Sequence, residues 1–544
     1  MEKKYFFDVN GNIGCGCRGY GEFPHVQDLI SHMDYLNIAR AAVWSIEARD
    51  VNPSRGNKKL AHLIDNNINF KERLIPSFII SPPMFYERDA IQFIREYFKL
   101  NKGVLRISPH FCRHSLSTIE RILKELQIFS PVLFWNFTDT DNRILDSQAL
   151  TDLAIRYPNC TFIITHTAWG AFSGLLDLMW RAPNILTDIS FFHMRGAIKI
   201  VCSDFGAGRV VFGTGHKTNY GAAAAGLAFA DIRDEEKSLI AHGNIEKLLG
   251  LSPLNIEISS DKKRLREKPL WNTFSQGQSL NHVEILDAHC HSGPATCGWV
   301  ISETESEITA AIIAQAEKIG VSRMFVSHFP ALFGDPLAGN RESADELGGQ
   351  KIFKGYFVYN PHYHNNLSSA VLESLFKNPF FIGFKLLPAY WGVEVRDKRF
   401  QTVWEFAEKY RLPILIHTWE DNFNRPAMLE GITKKYKNAF FLLGHSGGGD
   451  IGRRESVDLA KKRKNVYLEF CGTFGSTTDW METITEVGSE HVIFGSDAGM
   501  HDQAWELGRL LSIPLPDEII RPILGLNFLK ILEKSKLKYI GNSE

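Results

Sequence analysis

The segment Leu286-Asp287-Ala288-His289-Cys290-His291 is the strongest signal in the sequence for both fold and chemistry. It lies in a β-rich run that predicts a strand, and residues two apart on a strand point to the same face. His289 and His291 can therefore bind one cation together. A lone His-x-His pair is weak evidence, because such pairs also occur on ordinary exposed strands. Cys290 between them is expected to point away and is not predicted as a ligand.

Downstream of this segment, short β-rich runs alternate with longer amphipathic runs, as in a parallel sheet with crossover helices. The predicted strands are Glu284–His291, Arg323–Ser327, Lys354–Tyr359, Phe381–Leu387, Pro413–His417, Phe440–His445, Val466–Phe470 and Val492–Asp497. Helices are predicted at Arg399–Tyr410 and Asp450–Lys462. Eight such units favour a closed (β/α)8 barrel over a doubly wound open sheet.

The first half of the chain repeats this order, which predicts a tandem duplication. The matched segments are Phe7–Asn12 with Leu286–His291, Pro131–Trp135 with Pro413–His417, Phe162–His166 with Phe441–His445, Val210–Gly215 with Val492–Asp497, and Gly243–Leu249 with Leu526–Leu532. The predicted fold class is α/β, with two tandem (β/α)8 TIM barrels. Residues 1–251 form the first barrel, 252–282 a charged linker containing Pro253 and Pro269, and 283–544 the second barrel.

Three further polar residues end predicted strands of the second barrel: His417, His445 and Asp497. The carboxyl ends of barrel strands meet at one face, where active sites are built. Taken singly, each residue is better explained as a buried histidine or a helix-capping aspartate than as a ligand. Together with His289 and His291 they predict a site for Zn²⁺ or another divalent transition metal, with an open position for water.

This order of residues resembles the amidohydrolase superfamily, specifically the amidohydrolase-related family that includes aminocarboxymuconate-semialdehyde decarboxylase and several lactonases. The segments Leu443–Gly449 and Phe494–Asp497 carry the resemblance at the sixth and eighth strands. It implies that one metal, Zn²⁺ before Mn²⁺, is bound by the four ligands His289, His291, His417 and Asp497. It also implies that His445 is catalytic, and that Lys385 occupies the place of the carboxylated lysine of two-metal relatives.

Three functions follow as alternatives. In a hydrolase, the metal lowers the pKa of its water toward about 7, and Asp497 takes and returns the proton while an amide, ester or lactone is cleaved. In a nonoxidative decarboxylase of an aromatic or unsaturated acid, the same ligands serve protonation of a carbon. A noncatalytic small-molecule-binding protein is the third. The sequence analysis places the hydrolase first. A catalytic serine is disfavoured.

Residues of the βα loops are expected to select the substrate, which is predicted to be a small cyclic or carboxylate-bearing molecule. Trp391, Trp419, Trp299 and His328 are predicted to line a pocket for a planar or cyclic group, although each reads equally as a packing residue. Arg341 and Arg396 are predicted to hold a substrate carboxylate, and each is as readily an ordinary surface residue.

The aligned positions of the first half have lost the ligands. Asn10, Asn12, Trp135 and Gly215 stand opposite His289, His291, His417 and Asp497, so we expect no catalytic metal there. Arg106 and His166 stay polar. We expect the first barrel to serve as an intramolecular pseudo-dimer partner, or, as a weaker alternative, to sense a ligand through Arg106, His110 and His166.

Composition narrows the partners. The 61 Lys and Arg residues nearly cancel the charge of the 62 Asp and Glu residues. We therefore expect no nucleic-acid partner, and we expect a small-molecule substrate. The amino terminus lacks a signal-peptide core and no apolar stretch reaches membrane-span length, so we expect a cytoplasmic protein without a membrane partner. Homo-oligomers are an open expectation, and the scattered cysteines are expected to be reduced.

Overall fold

The computed structural model describes residues 5–17, 19–20, 22–101, 104–109, 111–136, 147–214, 220–254, 268–294, 305–364, 367–472 and 475–537. The chain divides into two compact units, Met1–Arg266 and Glu267–Glu544. This division falls inside the predicted linker 252–282. The later part of that stretch packs within the second unit, because the backbone N–H of Leu270 donates to the Asp517 carboxylate at 2.8 Å and Lys268 Nζ donates to the Leu515 carbonyl at 2.7 Å.

The second unit contains one eight-stranded parallel sheet whose strands neighbour one another in chain order. The strands are Leu286–Ser292, Arg323–His328, Phe353–Val358, Phe381–Leu386, Pro413–His417, Phe440–Gly444, Val466–Phe470 and Val492–Phe494. All eight predicted strands are therefore present, with ends that differ from the prediction by a few residues. The sheet closes because the backbone N–H of Asp497 donates to the His289 carbonyl at 2.8 Å and that of His291 donates to the Ala498 carbonyl at 2.7 Å.

Helices connect these strands on the outside of the sheet, as the right-handed crossover of parallel strands requires. Their bounds are Pro269–Phe274, Glu305–Ile319, Phe329–Phe333, Pro336–Leu347, Pro361–His364, Ser369–Leu375, Gln401–Tyr410, Glu430–Lys435, Asp450–Lys462, Thr477–Val487, Gln503–Leu511, Asp517–Arg521 and Asn527–Glu533. The predicted helix Asp450–Lys462 is confirmed in full, and the other begins at Gln401 after a short 3-10 turn. The second unit is a (β/α)8 barrel, as predicted.

The core of the second barrel is formed by apolar side chains from its strands and its last helix. They include Leu286, Phe325, Tyr356, Leu415, Leu442, Ile493, Phe528 and Ile531, all nearly inaccessible to solvent. Burial of a side chain of this size stabilises a fold by about 1.5–3 kcal/mol. The core fills the barrel below the carboxyl ends of the strands and leaves those ends for polar residues.

The first unit has the same strand order, but its sheet is divided in two at the third strand. The barrel strands are Phe6–Ile13, Ile38–Ser45, Leu74–Pro76 with Phe78–Ile79, Val104–Ile107, Val132–Asn136, Thr161–Thr165, Ile185–Asp188 and Val210–Val211. A short hairpin pairs Cys15–Gly16 with Gly19–Tyr20. The backbone N–H of Ser77 donates to the Val43 carbonyl at 2.7 Å, and that of Val9 donates to the Phe212 carbonyl at 3.2 Å, so the interrupted third strand stays in place and the circle closes.

The helices of the first unit are Val26–Leu36, Ile46–Asp50, Pro53–Asp65, Ile68–Lys71, Ala90–Leu100, Glu120–Leu126, Ser147–Arg156, Phe172–Arg181, Ala197–Phe205, Ala222–Phe229, Asp234–Ser238 and Asn244–Leu249. Its core includes Phe7, Val9, Ala42, Val104, Phe134, Ile163, Val211 and Ile245. The protein is thus α/β with two barrels. Among the described residues, no helix has both the length and the apolar character that crossing a bilayer requires.

The strand register corrects one pairing between the two halves. In the first unit Asn136 pairs with Thr165, the residue before His166, and in the second unit His417 pairs with Gly444, the residue before His445. The counterpart of His417 is therefore Asn136, and the sequence alignment with Trp135 was wrong by one residue. A shift of one residue on a strand reverses the side to which the side chain points.

Candidate metal centre

The carboxyl ends of the second barrel's strands are held together by Asp287. Its carboxylate accepts hydrogen bonds from the Ser496 backbone N–H at 2.9 Å, from the Ser496 hydroxyl and from Gln503 Nε2 at 2.9 Å. These bonds join the first strand to the end of the eighth. They fix the backbone on which His289 and Asp497 lie, and Asp497 itself has a positive φ of 57° that turns the chain toward the barrel mouth.

Three of the predicted ligands converge at this mouth. Nε2 of His291 lies 2.8 Å from Oδ1 of Asp497, and Nε2 of His289 lies 3.7 Å from the same oxygen. The donor atoms of His289, His291 and Asp497 all lie within 4.8 Å of one another, and all three residues are buried. This is the spacing of groups that share one ion, since each bond to a divalent metal is about 2.0–2.2 Å long.

His417 and His445 lie on the same face. Their ring centroids are 4.8 Å apart, and the ring of His445 is 5.0 Å from that of His289. The backbone at His417 is fixed by Asn424, whose Nδ2 donates to the His417 carbonyl at 2.6 Å. The structure thus brings all five predicted residues to one mouth, although His417 is not within the tight group of three.

The electrostatics of the mouth suit a cation. Burial holds the pKa of His289, His417 and His445 well below the usual imidazole value, so that these rings are neutral at pH 7. Burial alone would raise the pKa of Asp497, but the hydrogen bond from His291 and the neighbouring histidines hold it well below its usual range. Neutral imidazoles and an ionised carboxylate are the protonation states in which these groups bind metal.

Lys385 points into the same mouth from the fourth strand. Its Nζ lies 2.6 Å from Nε2 of His289 and is buried, and burial lowers its pKa to about 8. The ammonium group of Lys385 therefore lies beside Nε2 of His289, the ring nitrogen through which His289 would bind a metal. The donor set of two imidazoles and a carboxylate in a buried mouth fits a divalent ion.

Two residues of the mouth were not predicted from the sequence: Glu469 and Cys471. The carboxylate of Glu469 faces His289 Nδ1 at 3.0 Å and accepts from the His445 backbone N–H at 3.0 Å and the Cys471 thiol at 2.9 Å. Burial raises the pKa of Glu469. A carboxylate that accepts from one ring nitrogen of a histidine fixes the tautomer and leaves the other nitrogen for the metal.

Cys471 lies beside the same histidines. Its Sγ is 3.1 Å from Nδ1 of His445 and 3.4 Å from Nδ1 of His289, and burial raises its pKa well above the usual thiol value. Cys290, by contrast, donates to the Asp287 carbonyl, as a side chain directed away from the histidines does. One sequence signal for Glu469 existed: it is a polar residue near the carboxyl end of a predicted strand, the rule that found His417 and His445.

Aromatic rings surround the polar cluster. Phe329 stacks on His291 with centroids 4.7 Å apart, Tyr390 meets His417 edge-on at 5.3 Å, and Trp419 stacks on His417 at 5.8 Å. Trp419 was predicted as a lining residue, whereas Phe329 and Tyr390 were not. Tyr390 is 62% exposed, so one ring of this wall presents an open surface.

The other predicted substrate residues lie at different places. Trp391 packs beside Phe329 and donates from Nε1 to the Leu332 carbonyl at 3.0 Å. His328 is buried against Ser292, with Nδ1 3.0 Å from the serine hydroxyl. Trp299 lies outside the described residues.

Arg341 and Arg396 are both exposed. Arg341 Nε donates to the Leu337 carbonyl of its own helix at 3.3 Å, and Arg396 pairs with Glu394 while 60% of its side chain is exposed. Each is engaged locally in the structure, and a role of either in holding a substrate carboxylate stays a prediction.

The mouth of the first unit has a different set of residues. Arg106 Nη2 donates to the Val9 carbonyl at 2.7 Å and to Asn10 Oδ1 at 3.3 Å, and Asn10 Nδ2 donates to the Asp188 carboxylate. Among the described residues, two groups of side chains could hold a metal, and both lie in the second unit: His289, His291 and Asp497, and His289, His445, Glu469 and Cys471. Gly215, opposite Asp497, and His110 lie outside the described residues, and the expectation of a metal-free first unit stays a prediction.

Comparison with known protein families gives one match for this chain. The family model described as amidohydrolase matches residues 131–251 and 340–533, which together are more than half of the chain. No curated protein matches it.

Three similar solved structures are a 5-carboxyvanillate decarboxylase from Sphingomonas paucimobilis, a dihydroxybenzoic acid decarboxylase from Polaromonas sp. JS666 with bound manganese and 2-nitroresorcinol, and a putative amidohydrolase from Staphylococcus aureus. Their identities to this chain are 13%, 16% and 16%, with TM-scores of 0.36, 0.38 and 0.35. The alignments cover 46%, 46% and 45% of this chain and 99%, 97% and 100% of theirs. On the family model, with the barrel and its histidine and aspartate mouth, this chain belongs to the amidohydrolase family.

Proposed function

We propose that the second unit is a metal-dependent, nonoxidative decarboxylase of a planar aromatic or unsaturated carboxylic acid. The observation that carries this proposal is the aromatic wall around the polar mouth, formed by Phe329, Tyr390 and Trp419. Flat rings favour a flat substrate, because stacked and edge-on contacts add to the gain from burying apolar surface.

The charges of the mouth favour a substrate that is an acid. Lys385 is buried and carries a positive charge at neutral pH, since its pKa is about 8. An ion held by His289, His291 and Asp497, with His417 beside them, would supply Lewis-acid polarisation of a substrate oxygen. A carboxylate in this mouth would face cationic groups on one side and aromatic faces on the other.

The reaction needs a proton at carbon. The ring carbon bearing the carboxylate takes up a proton, the bond to the carboxyl carbon breaks, its electron pair returns to the substrate and carbon dioxide leaves. We assign that proton to Lys385, whose pKa burial lowers to about 8. His445, whose backbone N–H is fixed by Glu469, orients a substrate oxygen through its neutral ring.

The hydrolase that the sequence analysis placed first uses the same side chains and stays a prediction. It differs in needing a water molecule between the cluster and the substrate. The Zn²⁺ and Mn²⁺ alternatives share this donor set.

The test is a panel of aromatic and unsaturated carboxylic acids, lactones and cyclic amides, offered to the full chain with Mn²⁺ or Zn²⁺. We expect carbon dioxide release from at least one acid, and at least about 100-fold slower release by Asp497→Asn. Opening of a lactone or amide without carbon dioxide release would replace this proposal by the hydrolase. If Asp497→Asn released carbon dioxide as fast as the wild type, the reaction would not take place at the second unit's mouth.

A further inference from the structure

A second cavity of the second unit lies at the opposite end of the barrel from the metal centre. It has a volume of about 550 Å³ and is lined by residues that precede the fifth, sixth and seventh strands. Of its eleven lining residues, seven are Lys or Arg and none is Asp or Glu. They are Arg411, Lys434, Lys437, Lys462, Arg463, Lys464 and Lys534. Cavities of this size hold small molecules.

Little of this charge is neutralised by neighbouring acids. Lys462 lies 3.5 Å and Arg463 4.0 Å from the same carboxylate oxygen of Glu430. The other five cations take part in no ion pair within 4.0 Å among the residues that the structure describes. Glu408 lies at the rim, where it accepts from the Asn438 backbone N–H at 2.7 Å and its side chain at 2.6 Å.

Arg463 is the most buried of these seven basic residues. The Arg463 side chain is 23% exposed, and its Nε is buried without a hydrogen-bond partner among the described residues. Its Nη1 donates to the Lys462 carbonyl at 3.1 Å. A buried guanidinium N–H with no acceptor costs free energy, which an anionic ligand would recover.

The first unit shows that the barrel does not need these charges. Asn465 Nδ2 donates to the carbonyls of Thr433, Tyr436 and Ala439, and Asn184 Nδ2 makes the same three bonds to Ala154, Tyr157 and Cys160. These bonds fix which residues correspond. The positions of Lys434, Lys437, Lys462, Arg463 and Lys464 are occupied in the first unit by Ile155, Pro158, Arg181, Ala182 and Pro183.

Only one of those five first-unit residues is charged, and it is neutralised: Arg181 pairs with Asp177 at 2.9 Å. The same corner of the same fold is therefore nearly uncharged in one unit and strongly basic in the other. Seven like charges around one cavity repel one another, and a bound anion would offset the part of this repulsion that Glu430 leaves.

We propose that this basic cavity binds a small anion carrying two or more phosphate groups. Lysine ammonium groups suit phosphate oxygens as point charges, and Arg411 and Arg463 add guanidinium donors of matching geometry. A concave cavity of about 550 Å³ fits a compact polyanion better than an extended strand of nucleic acid. The proposal is independent of the metal centre, because the lining residues precede the strands whose far ends carry His417 and His445.

The test is calorimetric titration of the full chain with inorganic tripolyphosphate and pyrophosphate at low and high salt. We expect binding that weakens as salt rises. The triple variant Lys434→Gln/Lys437→Gln/Lys464→Gln should bind about tenfold or more weakly. The matched control is Lys71→Gln/Lys124→Gln/Lys247→Gln, which removes three exposed lysines of the first unit and the same net charge.

Three outcomes would overturn the proposal. One is unchanged affinity in the cavity variant, which would place the phosphate at the metal centre. Another is equal weakening in both triple variants, which would make the effect one of net charge alone. The last is tight binding of a single-stranded RNA by a chain that does not bind tripolyphosphate. Turnover at the metal centre should stay within twofold in both triple variants, so failure here is distinguishable from failure of the proposed decarboxylase.

Discussion

The two units of this protein share a hydrogen-bonded scaffold and differ in what it carries. In the first, the Asp8 carboxylate accepts from the Thr214 backbone N–H at 2.7 Å and hydroxyl at 2.9 Å. In the second, Asp287 accepts the same two bonds from Ser496. His166 and His445 both follow the sixth strand with positive φ values of 60° and 61°, rare for residues other than glycine.

The closing helix repeats the same contacts. Asn244 Nδ2 donates to the Ala207 and Val210 carbonyls, and Asn527 Nδ2 donates to those of Ser489 and Val492. Such bonds are what a duplicated gene would leave, and the duplication stays a prediction. The comparison teaches that the barrel's internal bonds are separable from its chemistry, because the first unit keeps them with Asn10, Asn12 and Asn136 at the ligand positions.

The largest expected effect comes from giving the second unit the first unit's residues. In His289→Asn/His291→Asn we expect loss of bound metal and a fall in turnover of at least about 1000-fold, because two donors are removed at once. Metal content is measured by elemental analysis, turnover by carbon dioxide release, and folding by thermal melting. A variant that keeps one metal per chain and normal turnover would show that the mouth is not the metal centre.

A smaller effect is expected at the sixth strand, where the two units both keep histidine. His445→Gln should lower kcat about 100-fold, since it removes the ring that faces the substrate. His166→Gln should change kcat less than twofold. If the two substitutions had equal effects on kcat, the first unit would also take part in the reaction.

The seventh strand carries Glu469 in the second unit and Asp188 at the same position in the first unit. Glu469→Gln should weaken metal affinity about 10- to 100-fold, because Glu469 orients His289. Asp188→Asn, its counterpart, should leave metal affinity unchanged. Competition with a chelator measures both, and equal affinities in wild type and Glu469→Gln would contradict the orienting role.

The smallest effect on turnover is expected at Asp8, the first unit's counterpart of Asp287. Asp8→Asn and Asp287→Asn should each destabilise their own unit by about 2 kcal/mol, since each buried carboxylate accepts charge-assisted bonds across the barrel seam. Differential scanning calorimetry measures the change in stability of each variant. Asp8→Asn should leave kcat intact, and a large loss of kcat in that variant would show that the units are coupled.

The sequence was sufficient for the barrel because its eight β-rich runs were separated by clear amphipathic helices. It was also sufficient to bring His289, His291, His417, His445 and Asp497 to one mouth, since residues at strand ends share one face, and their roles as ligands or catalytic residues stay predictions. It failed at Trp135, because Val132-Leu133-Phe134-Trp135 is apolar throughout and offers no alternation from which a register can be read. Only the paired neighbouring strands show that Asn136 takes the place of His417.

Other parts of the site depend on three-dimensional contacts that no local pattern encodes. Glu469 and Cys471 act through His289 and His445, which are distant in sequence, and Phe329 and Tyr390 reach the mouth from helix and loop positions. The only sequence signal at Arg341 and Arg396 is their positive charge, and many other exposed arginines carry the same charge. The first unit's role as an intramolecular partner, homo-oligomers and the cytoplasmic location stay predictions.

The asparagines at the first unit's mouth have a consequence at the level of the gene. An asparagine codon becomes a histidine codon by changing one base, and a glycine codon such as that of Gly215 can become an aspartate codon in the same way. Because Asp8, Asp188 and the turn at His166 form the scaffold seen in the second unit, few mutations separate the first unit's mouth from a ligand set like that of the second. A ligand set in the first unit is therefore within reach of a few base changes that leave the residues of the second unit as they are.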